Sequence, residues 1–226
     1  MANIAITGAA RGIGFELAKQ HTQAGDRVFA LVRKPSAALT ALAEAFGGTL
    51  TVHTMDVSSD ASVKAGSAET GGEPIDILYN VAGIVGPIPP ELESSDWDAW
   101  DEVINIMVKG PLRVLQAFLP RLHAGSKVIN LTSQLAASTW PYGGLYAYGA
   151  AKAGLNRMMR SVAIDLKARG IVVGLVHPGY VRTEMSGPSA EISPEESAAS
   201  IRTLTAGWTI EETGEFYKWN GEKHAW

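Results

Sequence analysis

The sequence predicts an α/β fold: a doubly wound parallel sheet of about seven strands flanked by helices. Two patterns predict it. Short apolar segments rich in β-branched residues alternate with longer amphipathic ones, and clusters of small and polar residues stand where the short segments end. Strands are expected at Asn3–Thr7, Arg27–Arg33, Thr49–His53, Asp76–Tyr79, Lys127–Leu131, Ile171–Val176 and Glu215–Trp219. Helical periodicity and Ala-rich composition place helices at Gly12–Ala24, Pro35–Phe46, Ser59–Glu69, Trp97–Leu122, Leu145–Arg169 and Pro194–Ala206. In "GPIPPELESSD", Pro87, Pro89 and Pro90 keep the chain out of a helix, and Ser95 or Asp96 can cap the one that follows. With no repeat, low-complexity tract or long linker, residues 1–226 read as one domain.

Composition narrows the function. The chain is 46% hydrophobic and 19% charged with a net charge of -4, and its Lys and Arg are scattered, so no nucleic-acid footprint is present. No apolar run approaches the roughly 18 to 20 residues that span a bilayer, and the N-terminus enters a strand rather than a charged leader, so a cytoplasmic protein off the membrane is expected. There is no Cys, which excludes disulfides, thiolate nucleophiles and zinc-thiolate sites. No metal site is expected, and the chemistry must come from oxygen and nitrogen groups.

In a doubly wound sheet, ligands bind at the carboxyl ends of the strands. "TGAARGIG" follows the first strand and opens a helix, so its backbone N–H groups and the positive helix end suit a phosphate, and Gly8, Gly12 and Gly14 admit close approach. About 20 residues on, a site for NAD usually has a carboxylate for the ribose 2′-hydroxyl. Here "RVFALVRKP" has Arg33 and Lys34, and Arg11 adds a guanidinium from the Gly-rich turn, which favours the 2′-phosphate of NADP(H).

"GGLYAYGAAKAGLN" holds two tyrosines and one lysine. Residues four apart share a helix face, so Tyr148 stands beside Lys152 while Tyr146 points elsewhere. With these residues the chain resembles the short-chain dehydrogenase/reductase family. Its Gly-rich turn, "MDV" at 55–57, "YNVAG" at 79–83, Ser133, "YGAAK" at 148–152 and "HPGYVRT" at 177–183 match in order and spacing across nearly the whole chain. The short length, "GGLYAY" and the C-terminal segment are most similar to the C-factor and Sniffer-like carbonyl reductase branch.

The resemblance implies a Rossmann-type fold and an NADPH-dependent oxidoreductase that reduces a ketone or aldehyde reversibly, with Ser133, Tyr148 and Lys152 as the catalytic triad. It implies that Ile13 joins the Gly-rich turn in holding cofactor and that Asp56 and Val57 border the adenine. Asn80, Ala82 and Gly83 would line the cofactor, and Thr183, with Pro178, Gly179 and Val181, would hold the nicotinamide end. Ser133 would hydrogen-bond the substrate carbonyl, and Thr132, its neighbour, would point away. Tyr148 would protonate the forming alkoxide, and Lys152 would stabilise the phenolate. A cation about 5 Å away is worth roughly 3 kcal/mol at an effective dielectric of about 20, or about two pKa units.

One departure concerns the fourth helix, where the family usually has an Asn three residues before its Gly to hold a relay water. This chain has Met107 there, and Asn105, two steps away, faces another side. A nonredox cyclase, isomerase or lyase, or a nucleotide-sensing protein, are the other classes the fold can host. Leu135, Trp140, Tyr142, Tyr146, Tyr180 and Met185 predict an apolar, aromatic cleft for a small carbonyl or alcohol. The family's habit of burying its fourth and fifth helices between subunits implies a homodimer or homotetramer.

Overall fold

The computed structural model describes residues 1–87, 92 and 94–226, so Pro89 and Pro90 lie outside the described residues. β1 (Asn3–Thr7), β2 (Arg27–Val32), β3 (Leu50–Thr54), β4 (Ile75–Asn80), β5 (Leu122–Leu131), β6 (Val172–His177) and β7 (Phe216–Lys218) form one sheet in the order β3-β2-β1-β4-β5-β6-β7. Every pairing is parallel. The helices α1 (Gly12–Gln23), α2 (Ala37–Phe46) and α3 (Asp60–Glu69) connect the first four strands. The strand order reverses between β1 and β4, which opens a crevice at their carboxyl ends.

A parallel sheet covered on both faces needs apolar residues on both, and alternation divides them. Ala5, Phe29, Leu31 and Leu78 enter a core with Phe118, Leu155 and Met159, whereas Ile4, Ile6, Val28 and Tyr79 enter the opposite core with Leu17 and Trp208.

The single helix expected over Trp97–Leu122 is broken. α4 (Trp97–Ile104), capped by Asp96, which accepts from Ala99 N at 3.0 Å, runs into a π-turn at Asn105–Lys109. There the Gly110 N–H donates to Asn105 O, and α5 (Gly110–Phe118) begins. The cause is Pro111, which has no N–H to donate and whose ring crowds the carbonyl four residues back, that of Met107. A short 3₁₀ turn over Leu119–Arg121 holds Pro120, and β5 starts at once. β5 begins five residues before the expected Lys127: Leu122 pairs with Ile75, and the chain loops out before Lys127 pairs with Ile77. Two further helices complete the fold: α6 (Tyr146–Lys167) before β6, and α7 (Pro194–Ala206) against α1.

Candidate active site

The Gly-rich turn leaves β1 beside β4. Thr7, the last residue of β1, accepts from Val81 N at 3.0 Å and Ala82 N at 3.3 Å and donates to Tyr79 O at 3.3 Å. That hydroxyl draws the segment after β4 against the turn. A Cβ on Gly8 would stand 2.8 Å from Ala82 Cα, and Gly8 holds φ 71°, so both packing and conformation require glycine. No side chain caps the N-terminus of α1, which leaves the first-turn N–H groups around Gly12, Ile13 and Gly14 suited to an anion. Asn80 turns into the sheet: its Nδ2 donates to Asn130 Oδ1 at 2.9 Å, and its buried Oδ1 has no protein partner among the described residues.

Arg33 and Lys34 are exposed at the end of β2. Ser36 caps α2 by accepting from Leu39 N at 3.1 Å and donates to Ala10 O at 2.7 Å, which ties this corner to the Gly-rich turn. Ser58 donates to Asp56 Oδ1 through both N, at 2.9 Å, and Oγ, at 2.7 Å. Burial opposes ionisation of Asp56, but these bonds and the Arg33 charge outweigh it and hold the carboxyl below its usual range. Arg33 and Asp56 therefore share a corner, beside which Val57 is buried against Gly110. Arg11 is not free: it pairs with Glu184, which reaches over from the loop after β6.

Ser133 follows β5, and Tyr148 and Lys152 occupy the first two turns of α6. The structure brings the three together. Ser133 Oγ accepts from Leu135 N at 3.2 Å, and its hydroxyl lies near enough to the Tyr148 phenol to influence its ionisation. Thr132 is also buried, but its hydroxyl has no protein partner among the described residues. Lys152 Nζ donates to Leu131 O at 2.8 Å and lies 5.7 Å from the centroid of the Tyr148 ring. Tyr148 packs on the core, while Tyr146 is 40% exposed. Leu145, just before α6, is left-handed at φ 50°, an uncommon conformation that costs of order 1 kcal/mol in a non-glycine residue.

Burial dominates the electrostatics of the pair. Burial pushes the Tyr148 phenol up, and the Ser133 hydroxyl opposes this. Burial also brings Lys152 itself down to about 8, since little in its surroundings replaces the water an ammonium loses.

Met107 is buried in the π-turn, with its sulfur 3.3 Å from where a Cβ on Gly83 would lie. Asn105 faces away from the triad, and its Nδ2 donates to Ser58 O at 3.2 Å.

Around the mouth, Trp140 and Tyr142 meet edge to face at 5.1 Å, and Tyr142, Tyr180 and Met185 are exposed while Leu135 is half-buried. The motif after β6 packs against the C-terminal region. Val181 is buried and bridges to Ile192, a Cβ on Gly179 would meet Trp219 at 3.0 Å, and Pro178 is half-buried beside them. Thr183 lies against the Gly-rich turn, its Cγ2 3.2 Å from a Cβ built on Gly12, and its Oγ1 meets Ser186 Oγ at 3.0 Å. The C-terminal segment returns to this region, where Ser138 N and Oγ donate to Trp226 O at 3.0 and 2.8 Å.

Sequence reasoning missed Thr7, Ser36, Glu184 and Asn156. Ser36 carries the signal of an N-cap before an Ala-rich helix. Asn156 is a lone amide four residues after Lys152, on the same helix face. Glu184 carries no local signal, because its partner is 173 residues away in the sequence.

Comparison with known proteins identifies the class. The short chain dehydrogenase family model matches residues 2–193, and the chain belongs to the short-chain dehydrogenase/reductase family. It is similar to the C-signal protein of Myxococcus xanthus, 37% identical over 158 residues that cover 68% of this chain and 93% of that protein. A carbonyl reductase of Pseudomonas aeruginosa PAO1 solved in complex with NADP is 31% identical, with a TM-score of 0.90 and 100% of both chains covered. The carbonyl reductase Sniffer of D. melanogaster is 25% identical, with a TM-score of 0.92 and the same full coverage. Among the described residues, no helix is long and apolar enough to cross a membrane.

Proposed function

We propose that this chain, as one domain over residues 1–226, is an NADPH-dependent carbonyl reductase that converts a ketone or aldehyde to an alcohol, reversibly. The observation that carries the reading is the meeting of Ser133, Tyr148 and Lys152 at the carboxyl end of β5, beside the crevice that the Gly-rich turn borders. The uncapped start of α1 fits the phosphates of a nucleotide and the Asn80 Oδ1, unpartnered among the described residues, fits a ribose hydroxyl, while the NADP-bound relative supports the cofactor's identity. When bound, the cofactor supplies the hydride.

Gly8, Gly12, Ile13 and Gly14 hold its diphosphate, Asp56 and Val57 border the adenine, and Asn80, Ala82 and Gly83 line the crevice. Thr183, with Pro178, Gly179 and Val181, holds the nicotinamide end. Ser133 donates to the substrate carbonyl, Tyr148 gives its proton to the developing alkoxide, and Lys152 favours the resulting phenolate. Leu135, Trp140, Tyr142, Tyr146, Tyr180 and Met185 make an apolar cleft for the substrate. The test is a panel of aldehydes and ketones with NADPH and with NADH, followed by nicotinamide absorbance; product without any change in absorbance would mark a nonredox enzyme instead.

Cofactor choice rests on Arg33, Lys34 and Arg11. An exposed ion pair such as Arg11–Glu184 is worth little in water, so a 2′-phosphate displaces the carboxylate readily. NADPH is expected to bind at least tenfold tighter than NADH, about 1.4 kcal/mol. In calorimetric titration, Arg33→Asp should shift preference toward NADH, and Glu184→Gln should tighten NADPH a few-fold while leaving NADH unchanged. Equal affinities of the native protein for both nucleotides would refute this selectivity.

A cytoplasmic homodimer or homotetramer completes the proposal. Trp97 on α4 and Ile164 on α6 are 70% and 65% exposed, apolar surface that a second subunit would cover. Light scattering at micromolar concentration should give at least twice 23.9 kDa; a monomer mass would reject it.

A further inference from the structure

We propose that Asn156 positions a buried water against Lys152, and that this water is the route by which Tyr148 regains its proton after each reduction. The inference rests on the reductase reading above. Asn156 is 2% exposed, and neither Oδ1 nor Nδ2 has a protein partner among the described residues. An amide buried with both ends unpaired is costly, and native interiors satisfy such groups with protein or with ordered water.

Position says what the water would serve. Asn156 is one turn beyond Lys152 and two beyond Tyr148 on the same face of α6, and helical side chains lean toward the N-terminus, so its carboxamide leans back over the turn that carries Lys152. Lys152 has three donors, of which Leu131 O takes one. A water that accepts from Nζ and exchanges hydrogen bonds with the Asn156 carboxamide satisfies both groups.

The opposite wall explains why Asn156 carries this role. α6 packs on the π-turn, where a Cβ on Gly154 would lie 3.6 Å from Val108, and the π-turn presents buried Met107, whose thioether is at best a weak acceptor. The proton account closes. Tyr148 loses its proton to the alkoxide and regains one from the Lys152 ammonium, Lys152 takes one from the water, and the hydroxide left behind takes one from solvent. Asn156 is thus a positioning residue, acting through Lys152.

The test uses Asn156→Leu, similar in volume and without polar atoms. With NADPH and a carbonyl substrate that the native enzyme reduces, kcat should fall about tenfold and its solvent isotope effect should rise, because proton return becomes limiting, while NADPH affinity stays within twofold. Adding Met107→Asn to this variant should recover part of kcat by supplying a carboxamide from the facing wall. Unchanged kcat and isotope effect would overturn the proposal, as would parallel losses of kcat, NADPH affinity and Tm with no rescue. A high-resolution crystal structure of the native protein is independent of activity and of whether the variant folds. Ordered water within hydrogen-bond distance of Asn156 and Lys152 supports the inference, and its absence overturns it. A native protein that shows this water but reduces no carbonyl would refute the reductase reading instead.

Discussion

Tyr148→Phe is expected to lower kcat about a thousandfold, roughly 4 kcal/mol of barrier, with NADPH affinity within twofold of the native value. In the proposed mechanism the phenol is the proton donor, and its removal leaves the crevice intact, so the loss should fall on the chemical step rather than on binding. Tyr146→Phe should stay within about twofold, since Tyr146 is 40% exposed and lies off the face that Tyr148 and Lys152 share. Steady-state kinetics and nucleotide titration of the two variants check this. Equal losses of activity would mean that helical phase does not select the acid. Because burial raises the Tyr148 phenol and the Ser133 hydroxyl opposes that rise, Ser133→Ala should, in the proposed mechanism, cost activity through the proton donor as well as through the carbonyl that Ser133 would hold.

The strand alternation and the Gly-rich turn were legible because each is a local pattern: a period of two, a period of 3.6, and glycines where backbone approaches backbone. The closeness of Tyr148 and Lys152 was legible from their one-turn spacing, whereas Ser133 joined them only through the family resemblance. What remained hidden depends on contacts distant in sequence. The break after α4 follows from Pro111, yet continuous apolar periodicity through Trp97–Leu122 masked it, because a π-turn keeps both flanking helices on the core. The early start of β5 depends on Leu122 meeting Ile75, which no pattern around residue 122 announces. The Arg11–Glu184 pair joins two loops that only the sheet brings together, and Asn156 gains meaning only once its carboxamide is known to be buried without a partner among the described residues.

Acid should destabilise the fold through His177 by an amount large against ordinary protein stability. The residue is 7% exposed, its Nδ1 has no protein partner among the described residues, and His224 stands edge to face at 5.7 Å. Burial first, then the nearby His224 and Lys218 charges, brings His177 down to about 4. An imidazole with a folded pKa below its unfolded value of 6.5 binds protons more readily in the unfolded chain, so its contribution is fully present above pH 6.5 and is lost as pH falls toward 4. The fall from 6.5 to about 4 corresponds to roughly 3 kcal/mol, at a slope approaching about 1.4 kcal/mol per pH unit. His21 and His53 are also lowered, chiefly by burial, and act in the same direction, so the native slope should exceed that of His177 alone. Denaturant unfolding between pH 7 and 4, compared with His177→Gln, isolates its share: the variant should start less stable at pH 7 and lose less on acidification. The same slope in both proteins would place the acid sensitivity elsewhere. His177 precedes Pro178, where the chain enters the segment proposed to hold the nicotinamide end, and the Trp219 N–H donates to its carbonyl at 2.8 Å. Protonation should therefore loosen that segment ahead of global unfolding, with NADPH affinity falling in the same pH window in the native protein and less steeply in the variant.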